Sequence, residues 1–479
     1  MKLEFIFLTI LINLTKQRNL IFVLTHFRHG ARAPIAPSDD PYDYFNKSWN
    51  NPSQLTGVGH RMHYILGLHN RERYIMNEDT KLLDESCNLH DILIMSTNFN
   101  RTINSALAQL YGLYPEETKQ ITEKQKLFAN PPINVSKNIQ NQIEYLNNNN
   151  QFLPHSLNFI PIHIFHNSEH RIKEFENPSC TQVANEIMKK NIDNEEIKKQ
   201  LNIFTSNYSE YFKKYLTSIK NYDYHIVEKL ADQFITDKTE GHDFADFKKI
   251  SEINDEDFDK LSDFFLEFAG KTMKDYQYGD SEGKLIRIDM SPFFNELVEY
   301  IQKRVNLTIK NITLNQNDYS SPKLVMVSGH DSTLTSMMLF LELMYKDKKK
   351  TFYRNPIYAS NAAFEVYIKD NANLENLNED SFEIEYYFNG EKIDTFNFID
   401  FKERVKKEAY TPEKIGEICK YQNSSNECPK NDSTSSTTLV IFIILTIILA
   451  IIVIILFIFI LKKKEFLQVI LKNLQSNKF

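Results

Sequence analysis

The chain has 479 residues, 42% hydrophobic and 25% charged, a composition that suits one large globular unit or two ordinary ones and excludes a disordered polymer. A formal net charge of −7 offers no general basic face, which argues against nucleic-acid binding.

In chain order, the first feature is a short apolar run at 3–14. It is too short to span a bilayer and has the length of a signal-peptide core, although Glu4 weakens the basic flank and no A-x-A site follows. Residues 1–17 are therefore expected to be a signal peptide. The next segment, NLIFVLT (19–25), is continuously apolar, as in a strand buried on both faces, and it runs into Arg28-His29-Gly30-Ala31-Arg32-Ala33-Pro34. After a loop, Leu55-Thr56-Gly57 precedes apolar residues at helical spacing. A second strand, DILIMST (91–97), leads to Arg101-Thr102 and another amphipathic helix. This alternation predicts an α/β fold, a three-layer domain around a parallel sheet.

The middle of the chain, 121–295, is charged and mainly amphipathic, which predicts a helical cap inserted into a catalytic domain made of 18–120 and 296–420. A third strand, KLVMVSG (323–329), ends at His330-Asp331, and two alternating segments near 362–388 fit a sheet edge. Residues 421–438 read as a polar stalk. The segment 439–461 is 23 residues long with Thr446 its one polar member, about 34 Å as a helix and enough to cross a hydrocarbon core of about 30 Å. Lys462, Lys463 and Lys464 follow it, so positive-inside bias places 462–479 in the cytoplasm and the large N-terminal part outside the cell or in a lysosome- or vacuole-type lumen. Four cysteines, Cys87, Cys180, Cys419 and Cys428, suit disulfides in that compartment, with three connectivities open. Sequons such as Asn207, Asn306 and Asn311 fit a glycoprotein.

Three strands thus end in polar clusters, where ligands bind in open α/β sheets. The clusters supply three guanidiniums, two imidazoles and a carboxyl group. Guanidinium forks match the non-bridging oxygens of a phosphate monoester. An imidazole nitrogen can attack phosphorus, and a carboxylic acid can protonate the departing alkoxide. The simpler readings are weaker. A solvated basic patch rarely follows a buried strand and encloses His-Gly. A metal-binding reading of His330-Asp331 would need further ligands on helices. His166 and His170 lack the glutamate of a zinc-protease helix, and His60 and His63 on the first helix read as structural or exposed.

The segments RHGARAP (28–34), QLTGVGHRMHYILGLHNRERY (54–74), STNFNRTINSA (96–106), PIHIF (161–165) and SGHDSTL (328–334) together resemble the histidine acid phosphatases, the acid-phosphatase and phytase branch of the histidine phosphatase superfamily. The resemblance implies that His29 is the nucleophile that becomes phosphorylated. It implies that Arg28, Arg32, Arg101 and His330 hold the phosphate and that Asp331 is the proton donor. Neither a metal nor another cofactor is implied. It also implies that Cys180 pairs with a cysteine near the C-terminal end of the domain, Cys419 ahead of Cys428, leaving Cys87 without an implied partner. Asn98 and Asn100 stand where the family often has acidic residues. The expected substrates are phosphate monoesters, small or on proteins. A phytase-like inositol polyphosphate phosphatase and a catalytically weak surface receptor on the same fold are the alternatives. The oligomeric state is left open, a homodimer among the options.

Overall fold

In a computed structural model, the described residues are 19–35, 51–115, 120–153 without 127 and 134, 159–164, 180, 183, 186–187, 195–207, 209–210, 224–241, 255–278, 283–312 and 321–419. The chain divides into two compact units, Met1–Tyr421 and Gln422–Phe479, and every described residue belongs to the first. The expected signal peptide, stalk, membrane span and tail lie outside the described residues, as do His166 and His170. Among the described residues no helix is long and apolar enough to cross a membrane.

A seven-stranded sheet runs through the unit: β1 (Leu20–Arg28), β2 (Ile92–Ser96), β3 (His163–Ile164), β4 (Leu324–Gly329), β5 (Asn361–Ile368), β6 (Phe382–Phe388) and β7 (Glu391–Asn397). Its order is β3-β2-β4-β1-β5-β6-β7. The first four strands in that order pair in parallel, and β5, β6 and β7 are antiparallel to their neighbours. The sheet is therefore mixed, which corrects the expectation of a parallel sheet. Parallel neighbours need a crossover connection, whereas β6 and β7 are joined by a tight turn at Asn389-Gly390. Both turn residues have positive φ, 49° and 81°, as the hairpin turn matched to strand twist requires. Neither of the two late strands expected at the edge, β5 and β6, lies there. β5 sits between β1 and β6, and β7 forms the edge.

Among the described residues, the α-helices of eight residues or more are α1 (Gly57–Arg71), α2 (Asn100–Leu113), α3 (Lys137–Asn148), α4 (Glu195–Asn207), α5 (Tyr224–Glu240), α6 (Asp255–Tyr278), α7 (Lys284–Ile309), α8 (Asp331–Met344), α9 (Phe398–Glu408) and α10 (Pro412–Cys419). Alternation along the buried strands builds a core on each face of the sheet. Phe22, Leu24, Val325 and Val327 pack with Phe293, Phe294 and Leu297 of α7 and with Met337, Phe340 and Leu341 of α8. Val23, Phe27, Ile92, Ile94 and Met326 pack on the other face with Ala106 and Leu110 of α2. This is the three-layer arrangement that continuously apolar strands demand.

Helices α1 and α2 meet backbone to backbone. A Cβ added at Gly67 would lie 2.0 Å from the Gln109 carbonyl oxygen, and one at Gly112 2.2 Å from that of Tyr64. Within 121–295, β3 pairs with β2, so part of that segment joins the sheet. Cys180 and Cys419 form a disulfide between residues 239 apart in sequence, tying Cys180 of the 121–295 segment to α10.

Candidate active site

The site is built where β1, β2 and β4 end. Beyond β1, the His29 amide donates to the Gly329 carbonyl at 3.0 Å and the His29 carbonyl accepts from the Ala359 amide at 3.1 Å, which fixes the backbone on both sides. Gly30 is pressed against the start of α1: a Cβ there would lie 2.5 Å from the Gly59 carbonyl oxygen. The Gly30 amide donates to Ser105 Oγ of α2 at 3.1 Å. Thr56 caps α1 by accepting from the Gly59 amide, and its own amide donates to the Ala31 carbonyl. The R-H-G-A-R turn is therefore clamped between the N-terminal halves of two helices.

The His29 ring is nearly inaccessible, at 2% exposure, and its Nδ1 lies 2.9 Å from the Gly30 carbonyl oxygen. A carbonyl only accepts, so Nδ1 carries the proton and Nε2 keeps its lone pair. Burial holds the His29 pKa well below the ordinary histidine value, and Arg28, Arg32, His330 and Arg101 push it further down. All four residues expected to bind phosphate are thus close enough to His29 to act on its charge.

Arg28 Nη1 donates to the Pro356 carbonyl at 2.8 Å, and Nη2 lies 2.6 Å from Asp331 Oδ2. Arg32 donates to both Asp232 oxygens, at 2.7 and 3.2 Å. The Nε–H groups of Arg28 and Arg32 are buried donors with no hydrogen-bond partner among the described residues. Buried donors are normally satisfied, so two on neighbouring guanidiniums mark a place for an anion. Arg101, in the first turn of α2, stacks over Phe99 at 4.5 Å and has Nη2 3.4 Å from His330 Nδ1. Arg101 only donates, so His330 accepts at Nδ1 and is protonated at Nε2, 3.1 Å from Thr97 Oγ1. The His29 and His330 rings meet edge to face at 5.4 Å. Burial lowers the His330 pKa to about 3, with Arg101 adding to the shift.

His330 caps α8 and Asp331 is its first residue, so this helix, like α2, directs its positive end at the cluster. Burial pushes the Asp331 carboxyl up, but Arg28, then His330 and Arg32, outweigh it and hold the pKa below its usual value. All six expected residues, Arg28, His29, Arg32, Arg101, His330 and Asp331, are brought together. His63 is fully buried with Nε2 3.1 Å from the Arg28 carbonyl oxygen, a structural contact, and His60 is exposed.

Two residues of this constellation carried no sequence signal. Tyr358 lies beneath both guanidiniums, its ring centre 4.3 Å from Arg28 Cζ and 5.9 Å from Arg32 Cζ. Asp232 comes from α5, some 200 residues after Arg32. Neither stands in a recognisable motif.

The sequence profile of the histidine phosphatase superfamily (branch 2) matches residues 19–389. The chain belongs to that family. Among its relatives, lysosomal acid phosphatase of Xenopus laevis is 28% identical over 388 residues, covering 79% of this chain and 71% of the relative. The human lysosomal acid phosphatase is 24% identical over 382 residues, covering 79% and 72%. In fold, this histidine phosphatase is similar to the phytase from Citrobacter braakii, with a TM-score of 0.51 at 13% identity, covering 84% of this chain and 99% of that one.

Proposed function

We propose that the protein is an acid phosphatase that hydrolyses phosphate monoesters through a phosphohistidine on His29. The observation that carries this reading is the His29 tautomer: Nδ1–H is committed to the Gly30 carbonyl, and Nε2 offers a lone pair amid Arg28, Arg32, Arg101 and His330. Phosphoryl transfer asks the protein mainly for positioning and charge stabilisation, and this arrangement supplies both.

In the first step Nε2 attacks phosphorus in line, the N–P bond forms, and the ester P–O bond breaks. Asp331 gives its proton to the departing oxygen. In the second step Asp331 takes a proton from water as the water oxygen attacks phosphorus, and the N–P bond breaks to return neutral His29 and inorganic phosphate. The three guanidiniums hold the non-bridging oxygens throughout, and His330, its Nε2–H bound to Thr97 Oγ1, supports Arg101 through Nδ1. Simple monoesters are favoured over highly phosphorylated rings because two of the three arginines already face a carboxylate, Arg28 with Asp331 and Arg32 with Asp232.

The helical insert within 121–295 forms the leaving-group side in this reading. The apolar segment 439–461 with its trailing lysines supports a single-pass anchor, and the leader-like 3–14 supports an extracytoplasmic active site. Relatives named lysosomal acid phosphatases agree with that compartment.

The test is His29→Ala in the full chain, assayed on an aryl phosphate and trapped by acid-labile labelling. Loss of both turnover and phosphoenzyme is expected. Retention of turnover ends the phosphohistidine reading.

A further inference from the structure

Helix α5 presents Asp232, Thr236 and Glu240 at intervals of four, one stripe of one face. Each docks on a different segment around the phosphate site. Asp232 pairs with Arg32 and also accepts from the Ile35 amide at 2.9 Å. Thr236 Oγ1 lies 3.1 Å from the Tyr358 hydroxyl, beneath the two guanidiniums. Glu240 accepts from Thr56, the cap of α1. The stripe thus touches the R-H-G-A-R loop, the floor of the site and the helix start that clamps Gly30.

A guanidinium has two edges that can each engage an oxyanion. Asp232 takes the end edge of Arg32, with Nη1 at 3.2 Å and Nη2 at 2.7 Å. The side edge, with its Nε–H, is the one left buried without a partner among the described residues. The Arg32 and Asp232 side chains are 7% and 22% exposed, so water competes weakly for either group. A pair so placed fixes the plane of the guanidinium before any phosphate arrives, and pre-organisation of a donor raises affinity by removing the cost of ordering it.

We infer that Asp232 is a positioning residue for phosphate binding: it holds Arg32 by its end edge so that the side edge faces the anion. This rests on the proposed phosphatase reading and deepens it. Asp232 does not touch substrate, and its charge lowers the net attraction of the site for anions. The inference is that orientation outweighs that loss of charge. Arg32 would grip the non-bridging oxygens in the bound and transition states alike, so its misplacement should raise KM and spare kcat.

The test uses the full chain in mild detergent, with KM and kcat measured on an aryl phosphate and Ki measured for orthophosphate. Asp232→Ala is expected to raise KM and Ki about tenfold, the scale of one charge-assisted contact, with kcat within about twofold. Asp232→Asn keeps an acceptor for one Nη–H and for the Ile35 amide, so a several-fold rise is expected there; it also keeps the test alive should the alanine variant fail to fold. Lys238→Met serves as the structural control, because Lys238 pairs with Asp259 and Asp263 of α6 and is exposed. It should lower the melting temperature and leave Ki unchanged. An unchanged or lower Ki in both Asp232 variants, or an equal rise in Lys238→Met, overturns the inference. Absence of turnover in the unmodified protein overturns the phosphatase reading instead.

Discussion

Arg28 Nη2 lies 2.6 Å from Asp331 Oδ2, so the proposed phosphate-binding arginine and the proposed proton donor are an ion pair. That pairing holds the carboxyl below its usual pKa, the wrong direction for an acid acting alone. A phosphate dianion reverses it. The anion competes for Arg28 and adds negative charge beside Asp331, and both effects raise the carboxyl pKa. In the proposed mechanism, arrival of the phosphate thus loads the acid.

Asp331→Asn should slow an alkyl phosphate, whose leaving group needs the proton, by about 100-fold or more, the usual scale of general acid catalysis. A nitrophenyl phosphate, whose leaving group departs as an anion, should lose less than about tenfold. Comparing kcat on the two esters decides the matter. Equal losses would remove Asp331 from the role of acid.

The pH profile follows from the same pair. With its pKa held well below the ordinary histidine value, His29 stays neutral through mildly acidic pH and does not set the acid limb. Asp331 is ionised before substrate binds, so the proton for the leaving group arrives with the substrate monoanion. The basic limb of kcat/KM should then track the second ionisation of the ester, near pH 6 for alkyl phosphates. Profiles for esters of differing phosphate pKa check this: the limb should move with the substrate, and a limb fixed by the enzyme would contradict it.

His26 on β1 is fully buried, and burial lowers its pKa from 6.5 to about 3; neither ring nitrogen has a hydrogen-bond partner among the described residues. The unfolded chain takes up a proton below pH 6.5 that the native state refuses until about pH 3. Stability is thus undiminished above that window and falls with pH inside it, by up to about 1.4 kcal/mol per pH unit. His26→Leu, of similar volume, should flatten the fall of unfolding free energy between pH 6 and 4 by about that slope. Urea unfolding at several pH values measures it, and parallel curves for variant and parent would refute the assignment.

The contact of α1 with α2 offers a packing test. Gly67→Ala puts a methyl 2.0 Å from a backbone oxygen, so the helices must part, at a cost of about 1–3 kcal/mol. Gly57→Ala, at the exposed start of α1, meets nothing within 4 Å and should be neutral or slightly stabilising. Chemical denaturation of both variants gives the comparison.

Much of the site was legible because its residues are local in sequence. Arg28, His29 and Arg32 stand at the end of one buried strand, Arg101 opens the helix after another, and His330-Asp331 follows a third. A buried strand reads as an apolar run, and its carboxyl end is where a ligand sits, so motif and strand together placed six side chains. The hairpin strands were harder. β7, EKIDTFN, is largely exposed and has little apolar alternation, so nothing in it announced a sheet edge. Its antiparallel sense depended on the turn at Asn389-Gly390 and on which neighbour β5 met. Tyr358 and Asp232 were beyond reach for a different reason. Sequence by itself determined which strands end in chemistry, because that depends on order along the chain. Only the tertiary structure decided that Asp232 meets Arg32 and that Arg28 meets Asp331 at 2.6 Å, because pairing between distant residues depends on how helices dock, and docking leaves no periodic mark on the chain.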